Sequence, residues 1–205
     1  MAIVSLRLAV LTGLVLGALV STAWAGAPTE ALNGYVTRVL TVLDAPAMRD
    51  PQQLEARQRA VRAIAEDGFD FQEASRRALG ANWQARTPAE RARFVELFSA
   101  LIDSAYFAKV AGYDGERMTY EAETVTGSEA MVSARVIAKN QGVTPVVFHL
   151  VRGADGRWRV WDAAFGGMSL VSNYRSQFAR IVRTSSFQDL VTRLEERVEA
   201  LRRTQ

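Results

Sequence analysis

The 205-residue chain carries 25 basic and 22 acidic residues, no cysteine and a single histidine, His149. That inventory leaves no disulfide staples and none of the usual ligand sets for zinc, haem or iron–sulfur clusters, so no metal or cofactor is expected. The basic residues are nearly all arginines, interleaved with Glu and Asp from Arg38 to Arg203. This is the habit of solvated helix faces and gives no phosphate-binding stripe, which argues against nucleic acid as a partner.

In chain order, Arg7, the apolar run Leu8 to Val20 and the small-x-small triplet Ala23-Trp24-Ala25 have the layout of an export signal. Cleavage after Ala25 is expected, with residues 1–25 removed and residues 26–205 forming one α+β domain. Leu32, Tyr35, Val36, Val39, Leu40 and Leu43 recur at helical spacing and predict a helix over 26–43. Two prolines between Asp44 and Pro51 predict a loop. Leu54, Val61 and Ile64 then predict an amphipathic helix to about Asp67, ended by Gly68, and a short helix over Gln72–Leu79 closes at Gly80. Thr87-Pro88-Ala89-Glu90 reads as an N-cap, a proline at N1 and the glutamate of a capping box. Behind it Phe94, Leu97, Phe98, Leu101, Ile102, Ala105 and Tyr106 give one wide apolar face, reaching to about Gly112.

From Arg117 the period changes from 3.6 to 2. Four strands are predicted over 117–126, 130–138, 144–152 and 157–164, and their short connections imply an antiparallel meander. The stretch Gly166 to Phe178 is the pivot where sheet gives way to helix. Two glycines let the chain turn, Ser172 or Asn173 is placed to cap a helix over 173–183, and Tyr174, Phe178, Ile181 and Val182 share its apolar face. A last helix follows Thr184-Ser185-Ser186, with Phe187, Leu190, Val191, Leu194, Val198 and Leu201 on one side.

The order Phe69-Asp70-Phe71, Leu79-Gly80-Ala81-Asn82-Trp83, Thr87-Pro88 with Phe94 and Phe98, Trp158-Arg159-Val160-Trp161-Asp162, Gly167-Met168-Ser169-Leu170 and Asn173 to Phe178 resembles the MlaC or toluene-tolerance family of periplasmic phospholipid carriers. The resemblance covers most of the chain after residue 26. It implies a curved antiparallel four-stranded sheet flanked by helices, similar to nuclear transport factor 2, with lipid tails held between sheet and helices. It also implies a monomeric shuttle in the periplasm between an inner-membrane ABC transporter complex and an outer-membrane lipoprotein complex. A related branch accompanies hopanoid synthesis, so a rigid polycyclic lipid is the alternative ligand.

A lipid carrier needs more apolar wall than its own core fills. Candidates for that wall are Phe94, Phe98, Leu101, Ile102, Tyr106, Val146, Phe148, Leu150, Trp161, Phe165, Leu170, Tyr174 and Phe178. The same residues would serve equally as ordinary core, and composition does not separate the two roles. The rival of another class is a small-molecule enzyme using His149 and Asp162 as acid and base on neighbouring strands. A histidine alternating with apolar residues is commonly structural, Asp162 fits better as an arginine partner or a turn cap, and Ser169 lacks the second glycine of a nucleophile elbow. The expectation is therefore a non-enzymatic binding protein.

Overall fold

The computed structural model describes residues 27–106, 113 and 115–203, with the backbone alone at 48, 49, 51 and 106. The expected export signal and the stretch from 107 to 112 lie outside the described residues. The elements run α1 (Ala27–Asp44), α2 (Leu54–Gly68), α3 (Phe71–Leu79), α4 (Pro88–Tyr106), β1 (Arg117–Thr126), β2 (Glu129–Ile137), β3 (Val143–Arg152), β4 (Trp158–Phe165), β5 (Met168–Ser169), α5 (Leu170–Thr184) and α6 (Phe187–Arg202). The segment expected to be a loop after Asp44 is two short 3₁₀ turns, Pro46–Arg49 and Pro51–Gln53. Each starts at a proline, whose fixed φ suits the first helical position.

Local chemistry sets the helix starts. The Thr87 hydroxyl accepts from the Glu90 N–H (3.2 Å) and the Glu90 carboxylate accepts from the Thr87 N–H (2.8 Å), so the capping box that opens α4 is formed. Asp70 caps α3 through the Glu73 N–H, and Ser186 caps α6 through the Asp189 N–H. The start of α5 differs from expectation. Ser169 is its N-cap, accepting from the Ser172 N–H at 2.9 Å, so the helix begins at Leu170, ahead of both residues expected to cap it.

The sheet is antiparallel with order β1-β2-β3-β4-β5, five strands where the periodicity predicts four. The extra strand comes from the pivot. Gly166 and Gly167 take φ of 56° and 84°, a turn that side chains with a Cβ resist. The chain therefore folds straight back, and Met168–Ser169 pair with Phe165 and Ala164. Two residues carry too little alternation to register as a strand in sequence. Buried Asp162 locks the return, accepting from the Ser169 hydroxyl (2.5 Å) and the Val171 N–H (3.0 Å).

One face of the sheet is apolar: Ala130, Val132 and Ala134 of β2, Val146, Phe148 and Leu150 of β3, and Trp158 and Val160 of β4 are buried there with Leu32 of α1. The register slips between His149 and Leu150, where Trp161 is the extra residue, so Ala163 and Phe165 continue on that same face opposite Phe148 and Val146. A second buried cluster joins α3, α4, α5 and α6, with Phe94, Phe98 and Phe178 in mutual ring contact at 5.3–5.8 Å. The two clusters meet at Phe69, which packs against both and bridges to Val160 while the Asp70 N–H donates to the Val160 carbonyl (2.7 Å).

Candidate functional site: an apolar cavity under the first two helices

Between α1, α2 and the apolar face of the sheet lies a cavity of about 420 Å³. Its roof is built by helical periodicity. Tyr35, Val36, Val39, Leu40 and Leu43 project from one side of α1, and Val61, Ile64, Ala65 and Gly68 from one side of α2. Its floor is the sheet, through Met118 of β1, Phe148 of β3, and Val160, Ala163 and Phe165 of β4. Phe69, Ile102, Tyr113 and Leu170 close the sides. Among the described residues no charged residue lines it. Among the described residues no helix is long and apolar enough to cross a membrane.

Polar contacts fasten the roof at its margins. At the α1 N-terminus the Glu123 carboxylate of β1 accepts from both the N–H and the hydroxyl of Thr29, at 2.8 and 2.5 Å. Midway, the Tyr35 hydroxyl donates to the Trp158 carbonyl of β4 (3.1 Å), while its ring lies flat on Gly68, where an added Cβ would stand 2.7 Å from the ring. This close approach is what the helix ending at a glycine permits. Just outside, Asp67 of α2 accepts from Arg157 (2.5 Å) and Arg38 (2.6 Å), and these two guanidiniums hold its carboxyl below the ordinary carboxylate range. Arg62 pairs with Asp103 at 2.5 Å and ties α2 to α4. Phe165, which lines the cavity from the end of β4, is 45% exposed.

Of the residues expected to form a lipid wall, the structure brings Ile102, Phe148, Phe165 and Leu170 together around this cavity. Val146 and Leu150 share the sheet face of Phe148 but are fully buried in its core. Phe94, Phe98, Leu101 and Phe178 lie inside the helical cluster, with Tyr174 packed against it. Trp161 points to the other side of β4, where the Arg77 guanidinium sits 3.9 Å above its ring and His149 lies 5.1 Å away. The Tyr106 side chain lies outside the described residues. Sequence reasoning missed the α1 and α2 contributions, which form most of the roof. The available signal was the breadth of the α1 apolar surface, where Tyr35 and Val36, and Val39 and Leu40, come as adjacent pairs too wide for a single packing seam.

His149 and Asp162 are cross-strand partners. The Asp162 carboxylate, however, is engaged by Ser169 and Val171, one bond to each oxygen, and the imidazole packs on Trp161. Asp162 thus caps the turn into α5, one of the two roles its sequence position suggested.

Comparison with known proteins adds three findings. A family model described as MlaC protein matches residues 33–196. A protein of Haemophilus influenzae, described as the intermembrane phospholipid transport system binding protein MlaC, is 22% identical over 127 residues, covering 60% of this chain. The match spans 59% of that relative's length. The solved structure of a phospholipid-binding protein from Ralstonia solanacearum, in complex with a phospholipid, superposes with a TM-score of 0.74 at 22% identity. That superposition covers 84% of this chain and 97% of the other, so the two share a fold.

Proposed function

The chain belongs to the MlaC protein family, and from that premise we propose that it is a lipid carrier holding phospholipid acyl chains in the cavity under α1 and α2. The observation that carries this reading is the cavity itself: about 420 Å³ with no charged residue in its wall among the described residues, in a chain of which 23% is charged. An acyl chain leaving a bilayer loses about 0.8 kcal/mol per methylene, so two chains of about 15 methylenes lose roughly 24 kcal/mol unless something apolar covers them. A wall of this kind supplies that cover without specific hydrogen bonds, and the head group would remain at the exposed end near Phe165. The wall on this reading is Tyr35, Val39, Leu40, Leu43, Val61, Ile64, Ile102, Met118, Phe148, Ala163, Phe165 and Leu170.

In the same proposal residues 1–25 export the protein to the periplasm. There, as a monomer with a cone-like fold akin to nuclear transport factor 2, it exchanges lipid with an inner-membrane ABC transporter complex and an outer-membrane lipoprotein complex. Binding is stoichiometric and non-covalent, so His149→Ala should leave lipid transfer at the parent rate. The direct test is Leu40→Glu, which puts a carboxylate into the roof. Leu40 is half-buried at the cavity edge, so the variant should keep its fold by circular dichroism, yet copurify with little lipid because the charge must stay hydrated. A folded Leu40→Glu protein with a full lipid load would show that the chains lie elsewhere.

A further inference from the structure

Few large apolar side chains among the described residues are substantially exposed, and three of them gather at one end of the sheet: Val143 (52%), Phe165 (45%) and Met168 (78%). Phe165 pairs directly with Met168 across the Gly166–Gly167 turn, and the Gly166 N–H donates to the Pro145 carbonyl (2.9 Å), two residues from Val143. Among the described residues beyond their chain neighbours, no heavy atom lies within 4 Å of where a Cβ would stand on either glycine, so the outer side of the turn is uncovered by them. Phe165 is also a wall of the cavity, which makes this lip continuous with the lipid site. The two segments that build it carry no charge. Between Asp162 and Arg175 no side chain is charged at neutral pH, and between Lys139 and Arg152 the sole titratable group is His149.

We propose that this lip seats in the boundary between head groups and acyl chains of a bilayer, so that the cavity mouth opens into the membrane interior. The inference rests on the carrier reading above. A bilayer is favoured over a protein surface for two reasons. Three side chains without Trp, Tyr or Arg anchors are too little for a specific protein interface, which needs on the order of 1,000 Å². A bilayer asks only that no charge be buried, which the two uncharged segments satisfy. Continuity with the cavity then gives an acyl chain a path that never crosses water.

The absence of native cysteine makes the test clean. Met168→Cys, labelled with an environment-sensitive fluorophore, is mixed with vesicles of phosphatidylcholine, which bear no net charge. Emission should rise at least about twofold and shift to the blue, and a spin label near the carboxyl end of the lipid chains should quench it. The same label at Ser128→Cys, in the turn at the opposite end of the sheet, should stay silent. Met168→Glu should slow transfer of a fluorescent phospholipid to these vesicles roughly tenfold, while lipid carried per protein stays within about twofold of the parent. A label at 168 as silent as the one at 128, or a Met168→Glu protein that transfers at the parent rate, overturns the proposal. A response confined to native membranes and abolished by protease treatment of those membranes assigns the lip to a protein partner, and also overturns it. Should the parent protein carry no lipid while the label still enters vesicles, the carrier reading fails and membrane seating is supported.

Discussion

Ala163 and Ala78 are both small residues in apolar surroundings, but they face different things. Ala163 lines the cavity from β4, whereas Ala78 is fully buried in the helical cluster. Replacing each with leucine adds three carbons. At Ala163 they enter open space, so burial gains about 0.8 kcal/mol per carbon, or roughly 2.4 kcal/mol gross. Fixing the leucine rotamer removes about 0.5–1 kcal/mol, which leaves near 1.5 kcal/mol of net stabilisation. For a domain of this size that is a rise in Tm of about 3–6 °C. At Ala78 there is no room, and the same carbons should cost about 1–3 kcal/mol through strain. The assay is thermal unfolding of delipidated protein, paired with the lipid content of each variant before delipidation. Ala163→Leu should melt higher and carry severalfold less lipid; Ala78→Leu should melt lower. If Ala163→Leu melts lower with its lipid undiminished, the space under α1 and α2 is not available to a ligand.

The Tyr120 hydroxyl is buried without a partner among the described residues, and burial pushes its pKa up to about 12. In the unfolded chain a tyrosine ionises near pH 10, so the stability tied to keeping Tyr120 neutral is intact below about pH 10 and lost between there and about 12. Tyr120→Phe should remove that alkaline loss and, at neutral pH, raise stability by about 1 kcal/mol because no bond is broken; chemical denaturation across this range checks both. Asp67 has its carboxyl lowered by Arg157 first and Arg38 second, so its contribution is present above the ordinary carboxylate range and is lost as pH falls below about 4. These groups are substantially exposed, so solvent screening keeps the clasp weak; the Tm difference between the parent and Asp67→Asn should hold constant from pH 7 to about pH 5 and shrink as pH falls below about 4. Protein exported by its own host should begin at Gly26, and N-terminal sequencing that starts at Met1 would remove the export assignment.

Most elements were legible because each carries its period and its stop signals in adjacent residues. Thr87 through Glu90 specify the start of α4 within four positions, and the alternation from Arg117 onward specifies a meander. What was not legible depends on contacts distant in sequence. The fifth strand exists because Asp162 reaches seven residues ahead to Ser169 and nine to Val171, and that bond also moves the helix start from Asn173 back to Leu170. The cavity is subtler. Aromatic residues attract attention as wall candidates because of their size, yet Phe94, Phe98 and Phe178 find one another and fill their own interior. The cavity forms where modest Val, Leu and Ala side chains on α1 and α2 face the sheet without meeting it. Periodicity says which face of a helix is apolar; it does not say how far away the opposite wall stands.

The central claim is that the space between the α1–α2 roof and the sheet is occupied by phospholipid acyl chains. Native mass spectrometry of protein purified from its native host, followed by solvent extraction and identification of what is released, tests it most directly. The account predicts a stoichiometric mass increment that resolves into diacyl phospholipid and is largely absent from Leu40→Glu. Protein of bare polypeptide mass, or an increment made up of a polycyclic lipid with no phosphate, would contradict it.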